Sequence, residues 1–167
     1  VELVDRFQDP VTAVSFLNLV AWGLVLSSAY LSALELADRA LDLCTDYRVD
    51  LALPWVKGTR AMALGGLREY DGAFAEVAEG RLLAERFSDL NGIQNAHALQ
   101  VRLLIQQGRS LEASALEMPS MKLALPFMKG ELFASRALAL AACGRFEESR
   151  LAQARALDAS RGVETKV

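Results

Sequence analysis

Histidine, cysteine, proline and aromatic residues are scarce in this 167-residue chain, and their scarcity excludes several classes of protein. One histidine, His97, makes a zinc site or a catalytic triad hard to assemble. The two cysteines, Cys44 and Cys143, lie 99 residues apart, which excludes a disulfide scaffold and indicates buried thiols in a reducing, cytoplasmic compartment. With 4 prolines and 7% aromatic residues, Ala and Leu supply most of the apolar share, so the composition predicts an all-α protein.

A strong charge of either sign is lacking as well. The net charge is −3 and the isoelectric point is near 5.3. Residues 1–99 carry a net charge of −6, whereas residues 100–167 carry +3. Because this +3 is spread over two or three helices, it does not form the dense basic surface that DNA requires, and direct binding of nucleic acid is not expected.

Charge is absent altogether between Asp9 and Glu35, a run of 25 residues. That length would span a bilayer, but the serines within the run and the lack of a basic flank or aromatic belt favour two short buried helices with a turn at Ser27 and Ser28. A further interpretation is that one face of this region packs against a preceding repeat. The start at Val1, with no secretory signal, predicts a piece of a longer protein.

Internal self-similarity is the most informative feature of the sequence. Four segments share a layout in which a turn is followed by an anchor residue and then by a small residue three positions later. The anchors are spaced 40, 40 and 36 residues apart, and each divides a pair of amphipathic helical patterns. The anchors are Tyr30, Tyr70, Ser110 and Phe146, and the small residues that follow them are Ala33, Ala73, Ala113 and Ser149.

This repeat predicts an α-solenoid of about four antiparallel helix pairs, because a single pair cannot bury its apolar face alone. The pairs cover approximately residues 9–49, 50–89, 90–124 and 125–162, within a single repeat domain that spans residues 1–167. A small residue after each anchor lets the two helices of a pair approach closely. The aromatic anchors are expected to wedge into the next helix.

Residues that typically begin or end helices support these pairs. Asp9 and Pro10 are predicted to begin the first helix, and Pro54 and Pro126 suit the first turns of later helices. Ser88 and Asp89 are candidate caps for the third pair, whose short second helix is expected to end at Pro119. Glycines at the turns are predicted to hold the left-handed conformation that ends a helix. These glycines are Gly65, Gly66, Gly108 and Gly144.

The spacing of an aromatic residue, a small residue three positions later and another ten positions later resembles the tetratricopeptide repeat. The resemblance implies a right-handed superhelix whose concave side is lined by the first helix of each pair. The two clearest instances are Tyr30, Ala33 and Ala40, and Phe146, Ser149 and Ala156.

The period of about 40 residues also resembles the helical-repeat region of large ATP-dependent LuxR-type transcription regulators, the class that includes the maltose-regulon activator. Three segments are similar to that family, namely residues 81–89, 130–149 and 161–167. The resemblance implies a segment that binds an inducer or a partner and couples binding to self-association. It also implies DNA binding by a helix-turn-helix outside this chain, which itself has neither a phosphate-binding loop motif nor a basic recognition helix.

The alternative is a tetratricopeptide scaffold that docks a peptide or a protein and has no link to transcription. Either interpretation implies a protein, peptide or small-molecule partner, possible self-association, no membrane and no cofactor. DNA would be bound only through a domain that is not present here. The expected location is the cytoplasm.

Candidate binding residues lie on the first helix of each pair. Two tryptophans with amide, hydroxyl and guanidinium neighbours could hold a small polar ligand or a peptide, or the tryptophans could fill the core between repeats. Arg102 is expected to contact an anionic or polyhydroxyl ligand with its head group solvated in the free protein. The candidates are Ser15, Asn18, Trp22, Trp55, Thr59, Met62, Asn95, Arg102, Glu131 and Ser135.

No catalytic or metal-binding residues are predicted. The lone histidine is interpreted as a solvated or packed helical residue, and neither cysteine has a Lys or His nearby in sequence to lower its pKa. The acidic pairs and the arginines near the end of the chain are expected to decorate exposed faces. These residues are Glu35, Asp38, Glu147 and Glu148, and Arg145, Arg150 and Arg155. The sequence therefore predicts a protein that is not an enzyme.

Overall fold

A computed structural model describes residues 9–161 of the chain. These residues form eight α-helices and one short 3₁₀ turn with no strand among them, so the all-α prediction is confirmed. The helices are α1 (Pro10–Leu26), α2 (Tyr30–Tyr47), α3 (Leu53–Gly66), α4 (Tyr70–Arg86), α5 (Leu90–Gln106), α6 (Ser110–Ala115), α7 (Pro126–Ala142) and α8 (Phe146–Ser160), and the 3₁₀ turn is Asp50–Ala52.

The chain divides into two compact units, Val1–Phe87 and Ser88–Val167. In unit 1, α1 packs on α2, both pack on α3, and α3 packs on α4. In unit 2, α5 packs on α6 and α7, α6 packs on α7, and α7 packs on α8. The two helices of each predicted pair are joined by three residues, and so short a connection returns the second helix along the first.

The predicted anchors mark the starts of helices. Each of α2, α4, α6 and α8 begins at an anchor, and the small residue three positions later is buried in every case, with at most 2% of its surface exposed. The hydroxyl of Ser149 also donates to the carbonyl oxygen of Ala137 at 2.9 Å, which joins α8 to α7. The three-residue spacing from anchor to small residue therefore marks the position at which the two helices of a pair are in contact.

The turn before each anchor has one backbone geometry. The residue two positions before the anchor has a positive φ, and two backbone N–H groups donate to carbonyls of the preceding helix, which is the Schellman motif. Gly108 and Gly144 hold this left-handed position, as predicted. The prediction is wrong for Gly65 and Gly66, which lie inside α3, while Arg68 has the positive φ of 66°.

Gly66 allows close packing between α3 and the Tyr30 ring and does not form the turn that follows α3. A Cβ atom at this position would lie 2.4 Å from ring carbons of Tyr30, so glycine lets the ring lie directly against α3. Tyr30 thus contacts the next helix, as expected. Phe146 does not, because no helix follows α8 among the described residues, and its surface is 62% exposed.

Side-chain caps begin two of the first helices. The carboxylate of Asp9 accepts hydrogen bonds from the backbone N–H groups of Val11 and Thr12 and from the Thr12 hydroxyl, which together hold the pKa of Asp9 below its usual value. Asp89 caps α5 by accepting from the N–H of Gly92 at 3.0 Å. Ser88 is not a cap, because it occupies a left-handed turn position with φ 57°.

The second helix of the third pair is short. α6 ends at Ala115, four residues before the predicted stop at Pro119, and residues 116–125 are not helical. Two side chains hold this segment. Nε2 of Gln94 donates to the carbonyl of Ser120 at 2.8 Å, and the Arg136 guanidinium donates to the carbonyl of Leu116 at 3.4 Å and to that of Ser114 at the end of α6.

The uncharged run near the start of the chain forms the core of unit 1. Val14, Leu17, Cys44 and Val56 are buried together between α1, α2 and α3. α1 ends at Leu26, so the predicted break at the serine pair is confirmed. Among the described helices, none has both the length and the hydropathy needed to cross a bilayer.

Replacing Ala73 by Leu should lower the free energy of unfolding by about 1–3 kcal/mol, because the added atoms overpack the contact between α3 and α4. Ala73 is 0% exposed. The matched control is Ala75→Leu on the exposed face of the same helix, which should change stability little. Urea melts measure both, and equal effects at the two positions would contradict the packing described.

Replacing Gly66 by Ala should destabilise the protein by about 1–3 kcal/mol, because the new Cβ meets the Tyr30 ring. In a Tyr30→Ala background the obstruction is gone, so Gly66→Ala should then cost little. A double-mutant cycle in urea tests this coupling. Additive effects would show that the ring and the glycine do not interact.

Candidate functional site

Two of the predicted residues in unit 1 form a hydrogen bond between first helices. The hydroxyl of Thr59 on α3 donates to Oδ1 of Asn18 on α1 at 2.7 Å. Thr59 is buried and Asn18 is half-buried, so the bond fixes one first helix against the next. Met62 is also buried, one turn further along α3.

The remaining candidates of unit 1 differ in exposure. Ser15 is exposed on α1, whereas Trp22 and Trp55 are half-buried. Each tryptophan therefore presents part of its ring to solvent and part to its neighbours. A groove spanning all four pairs stays a prediction.

Three of the predicted residues in unit 2 form a polar cluster between α5 and α7, which we call the unit 2 cluster. The guanidinium of Arg102 on α5 lies 2.5 Å from Oε1 of Glu131 on α7. The hydroxyl of Ser135 is buried and donates to the same oxygen at 3.3 Å. Asn95 is half-buried and lies two turns before Arg102, about 10 Å along the helix axis.

The ion pair between Arg102 and Glu131 differs from the expectation of a solvated arginine, and it leaves one N–H group of Arg102 without an acceptor in the described part of the chain. Arg102 was expected to be solvated, but its side chain is 28% exposed and its charge is balanced by Glu131. Nε of Arg102 is buried and has no hydrogen-bond partner among the described residues. A buried N–H without an acceptor is costly, so this atom is a natural contact for an acceptor oxygen of a ligand or a water molecule.

Two further buried acceptors lie on α5. Oδ1 of Asn91 and Oε1 of Gln94 have no hydrogen-bond donor among the described residues. Together with Arg102, they place three unsatisfied polar atoms along one helix. This concentration of unsatisfied groups distinguishes α5 from the other described helices.

A second polar feature, which sequence reasoning missed, is a charge network in unit 1. Nζ of Lys57 lies 2.7 Å from Oε2 of Glu79 and 3.1 Å from Oε2 of Glu76. Arg60 pairs with Glu76 and, at 2.6 Å, with Asp38. The network ties α2, α3 and α4 together. Asp38, whose side chain is 48% exposed, thus lies at the surface as expected and also joins α2 to α3 through its ion pair with Arg60.

The titration of the network follows from these contacts. Burial opposes the charge of Lys57, but hydrogen bonds to the two glutamates raise its pKa overall. The hydrogen bond from Lys57 lowers the pKa of Glu79, and the nearby positive charges act in the same direction. The raised pKa of Lys57 and the lowered pKa of Glu79 both favour the charged forms at neutral pH, which suits an ion pair between helices.

The thiols and the histidine lie in buried or half-buried positions. Burial, with a smaller contribution from Asp50, raises the pKa of the Cys44 thiol to about 11, so the thiolate is scarce at neutral pH. Cys143 is half-buried rather than buried as expected, and His97 is 7% exposed. Within residues 9–161, no three side chains of His, Cys, Asp or Glu converge on a possible metal position.

The exposed charges of α8 form local pairs. Arg145 pairs with Glu148, and Arg150 with Glu147, each within one helical turn. The guanidinium of Arg155 lies 5.8 Å from the centre of the Phe133 ring. These side chains decorate an exposed face, as predicted.

Comparisons of the chain with models of protein families, with curated proteins and with solved structures give no match.

Acid should weaken the charge network through Glu79. Because its pKa is lowered in the folded state from an ordinary value of 4.5, the stability it contributes is complete above that pH and is lost as the pH falls through the lower folded value. The side chain is 61% exposed, so the contribution is about 0.5 kcal/mol. Glu79→Gln should cost that amount at pH 7, and the difference from the wild type should shrink toward pH 3.

Urea melts across this pH range measure the effect. Glu35→Gln is the matched control, because it neutralises an exposed glutamate of α2 outside the network. The control should follow the wild-type pH profile. A constant difference between Glu79→Gln and the wild type at all pH values would contradict the linkage.

Proposed function

We propose that this chain is a non-catalytic binding segment built from about four antiparallel helix pairs in a right-handed, tetratricopeptide-like superhelix. The helix starts at the anchors and the buried small residues support the repeat. Bonds between successive first helices, Asn18 with Thr59 and Arg102 with Glu131, support a common face of first helices within each unit.

The observation that carries the binding role is the unit 2 cluster. Arg102 has an unused buried donor, and its charge is already balanced by Glu131. A ligand at this position supplies an acceptor oxygen to Arg102 and needs no full negative charge of its own. Hydroxyl-rich molecules and peptide groups both offer such an oxygen.

The resemblance to LuxR-type regulators supports a sensor role within a cytoplasmic transcription regulator. In this role, binding of an inducer or partner shifts an equilibrium between inhibited and self-associating states of the whole protein. DNA binding belongs to a helix-turn-helix outside this chain. The second candidate, a tetratricopeptide scaffold without a link to transcription, is favoured by the repeat alone, and a coding sequence downstream without a helix-turn-helix would select it.

Replacing Arg102 by Ala should weaken ligand binding by about 1–3 kcal/mol, the loss expected for a hydrogen bond from a charged group. It should also cost about 1 kcal/mol of stability, because Glu131 loses its ion-pair partner. Isothermal calorimetry with a panel of polyhydroxyl metabolites, organic anions and short peptides measures binding. Urea melts measure stability.

The matched control is Arg150→Ala, which removes an exposed arginine of α8 that lies outside the unit 2 cluster. It should leave affinity unchanged. Equal affinities of the wild type and the Arg102 variant, for any member of the panel that binds, would remove Arg102 from the site.

A further inference from the structure

The outer face of α1 is apolar and exposed. Leu19 is 70% exposed and Leu26 is 68% exposed. The exposed small residues Ser15 and Gly23 alternate with them at spacings of four, four and three residues, so all four lie on one face of the helix. We call this face the α1 stripe. Its helix carries no charged residue, which is unusual for a surface helix.

The repeat identifies the stripe as a packing face. α1 and α3 are equivalent, because their left-handed turn residues lie 40 residues apart. Leu19 therefore corresponds to Thr59, and Leu26 corresponds to Gly66. In α3 both positions are covered, since Thr59 is buried and Gly66 lies against the ring of Tyr30. In α1 the same positions are open.

A helix pair with an aromatic anchor cannot pack on the α1 stripe in the way that α1 and α2 pack on α3, because the anchor ring would clash with Leu26. At Gly66 even a Cβ atom would lie 2.4 Å from the Tyr30 ring, and Leu26 carries a full side chain at the equivalent position. An anchor such as Phe146 of a second copy therefore cannot dock on Leu26 head to tail. The stripe needs a partner surface with small residues opposite its leucines.

We propose that the α1 stripe is a homodimer interface, in which α1 packs antiparallel on α1 of a second copy. When the two-fold axis lies at the level between Val20 and Ala21, the stripe residue nearest Leu19 is Gly23 of the partner subunit, and the one nearest Leu26 is Ser15 of the partner subunit. Each large side chain thus lies against a small one, and the two-fold symmetry repeats both contacts. This is the arrangement that Tyr30 and Gly66 already show within unit 1.

Charge and space favour this occupant. No charged residue lies between Asp9 and Glu35, so two copies of α1 meet without opposing like charges or burying unpaired ones. Nothing lies within 4 Å of a Cβ built on Gly23, so the position is open to an incoming leucine.

The interface is small. A helix of 17 residues is about 25 Å long, and contact along one such helix buries less than the roughly 800 Å² per partner of a standard interface. The dimer is therefore weak and depends on concentration. This inference rests on the proposed function in one respect, because that function includes self-association and the α1 stripe is the surface assigned to it. No residue of the unit 2 cluster takes part in the dimer.

Sedimentation velocity on the 167-residue chain tests the proposal. As protein concentration rises, the mass should increase from 18.2 kDa toward twice that value. Leu19→Glu should raise the dissociation constant of the dimer at least about tenfold, because it buries a charge against the partner helix. Leu82→Glu on α4 is the matched control, since Leu82 is 65% exposed and lies off the stripe, and it should leave the constant unchanged.

A second variant distinguishes specific packing of α1 on α1 from nonspecific association of an apolar surface. Gly23→Leu adds apolar surface in open space, so the monomer stays folded. If Leu19 packs on Gly23 of the partner subunit, the new side chain should weaken the dimer about tenfold. Unchanged or stronger association would overturn the proposal, because an unspecific apolar patch would only gain from the added leucine.

Three other results would also overturn it. These are a chain that stays monomeric at all concentrations, equal weakening by the control Leu82→Glu, and a monomer that instead sediments with vesicles of phosphatidylcholine. The Arg102→Ala variant should dimerise like the wild type. Loss of ligand binding without loss of the dimer would therefore count against the proposed function alone, and the reverse result would count against this interface alone.

Discussion

Close approach of helices at small side chains is the constraint on which the fold depends. The residue three positions after each anchor is buried, and an atom larger than hydrogen at Gly66 has no room beside the Tyr30 ring. Because alanine and glycine have no side-chain rotamers to lose and serine has few, such contacts form at a low cost in side-chain entropy. Their stability comes from dense packing of backbone and small groups, which a single added methyl group disturbs.

This constraint is also the part of the structure that the sequence reveals best. Small residues at a fixed distance from an anchor form a local pattern, and the helix starts at Tyr30, Tyr70, Ser110 and Phe146 follow from it. The glycines were harder to interpret. A glycine that takes a left-handed turn, such as Gly108, and one that admits a neighbouring ring, such as Gly66, look alike until the neighbour is known.

The polar features show the same limit. Register alone places Arg102 and Glu131 on first helices, but their pairing depends on the distance between α5 and α7, which no local pattern reports. The charge network of unit 1 was missed for this reason. Its signal was present as Lys57 and Arg60 on one helix and Glu76 and Glu79 on another, each three residues apart. Only packing of α3 on α4 shows that the two sets face each other.

The short α6 gives unit 2 a region of low local stability. A six-residue helix has few internal hydrogen bonds and is marginal by itself, and the ten residues that follow it are held by side chains of α5 and α7 rather than by a helical ladder. The free energy needed to open this region is therefore smaller than that needed to open α5 or α7. We therefore expect the amide hydrogens of α6 and of residues 116–125 to exchange with solvent through local opening, while α5 stays closed.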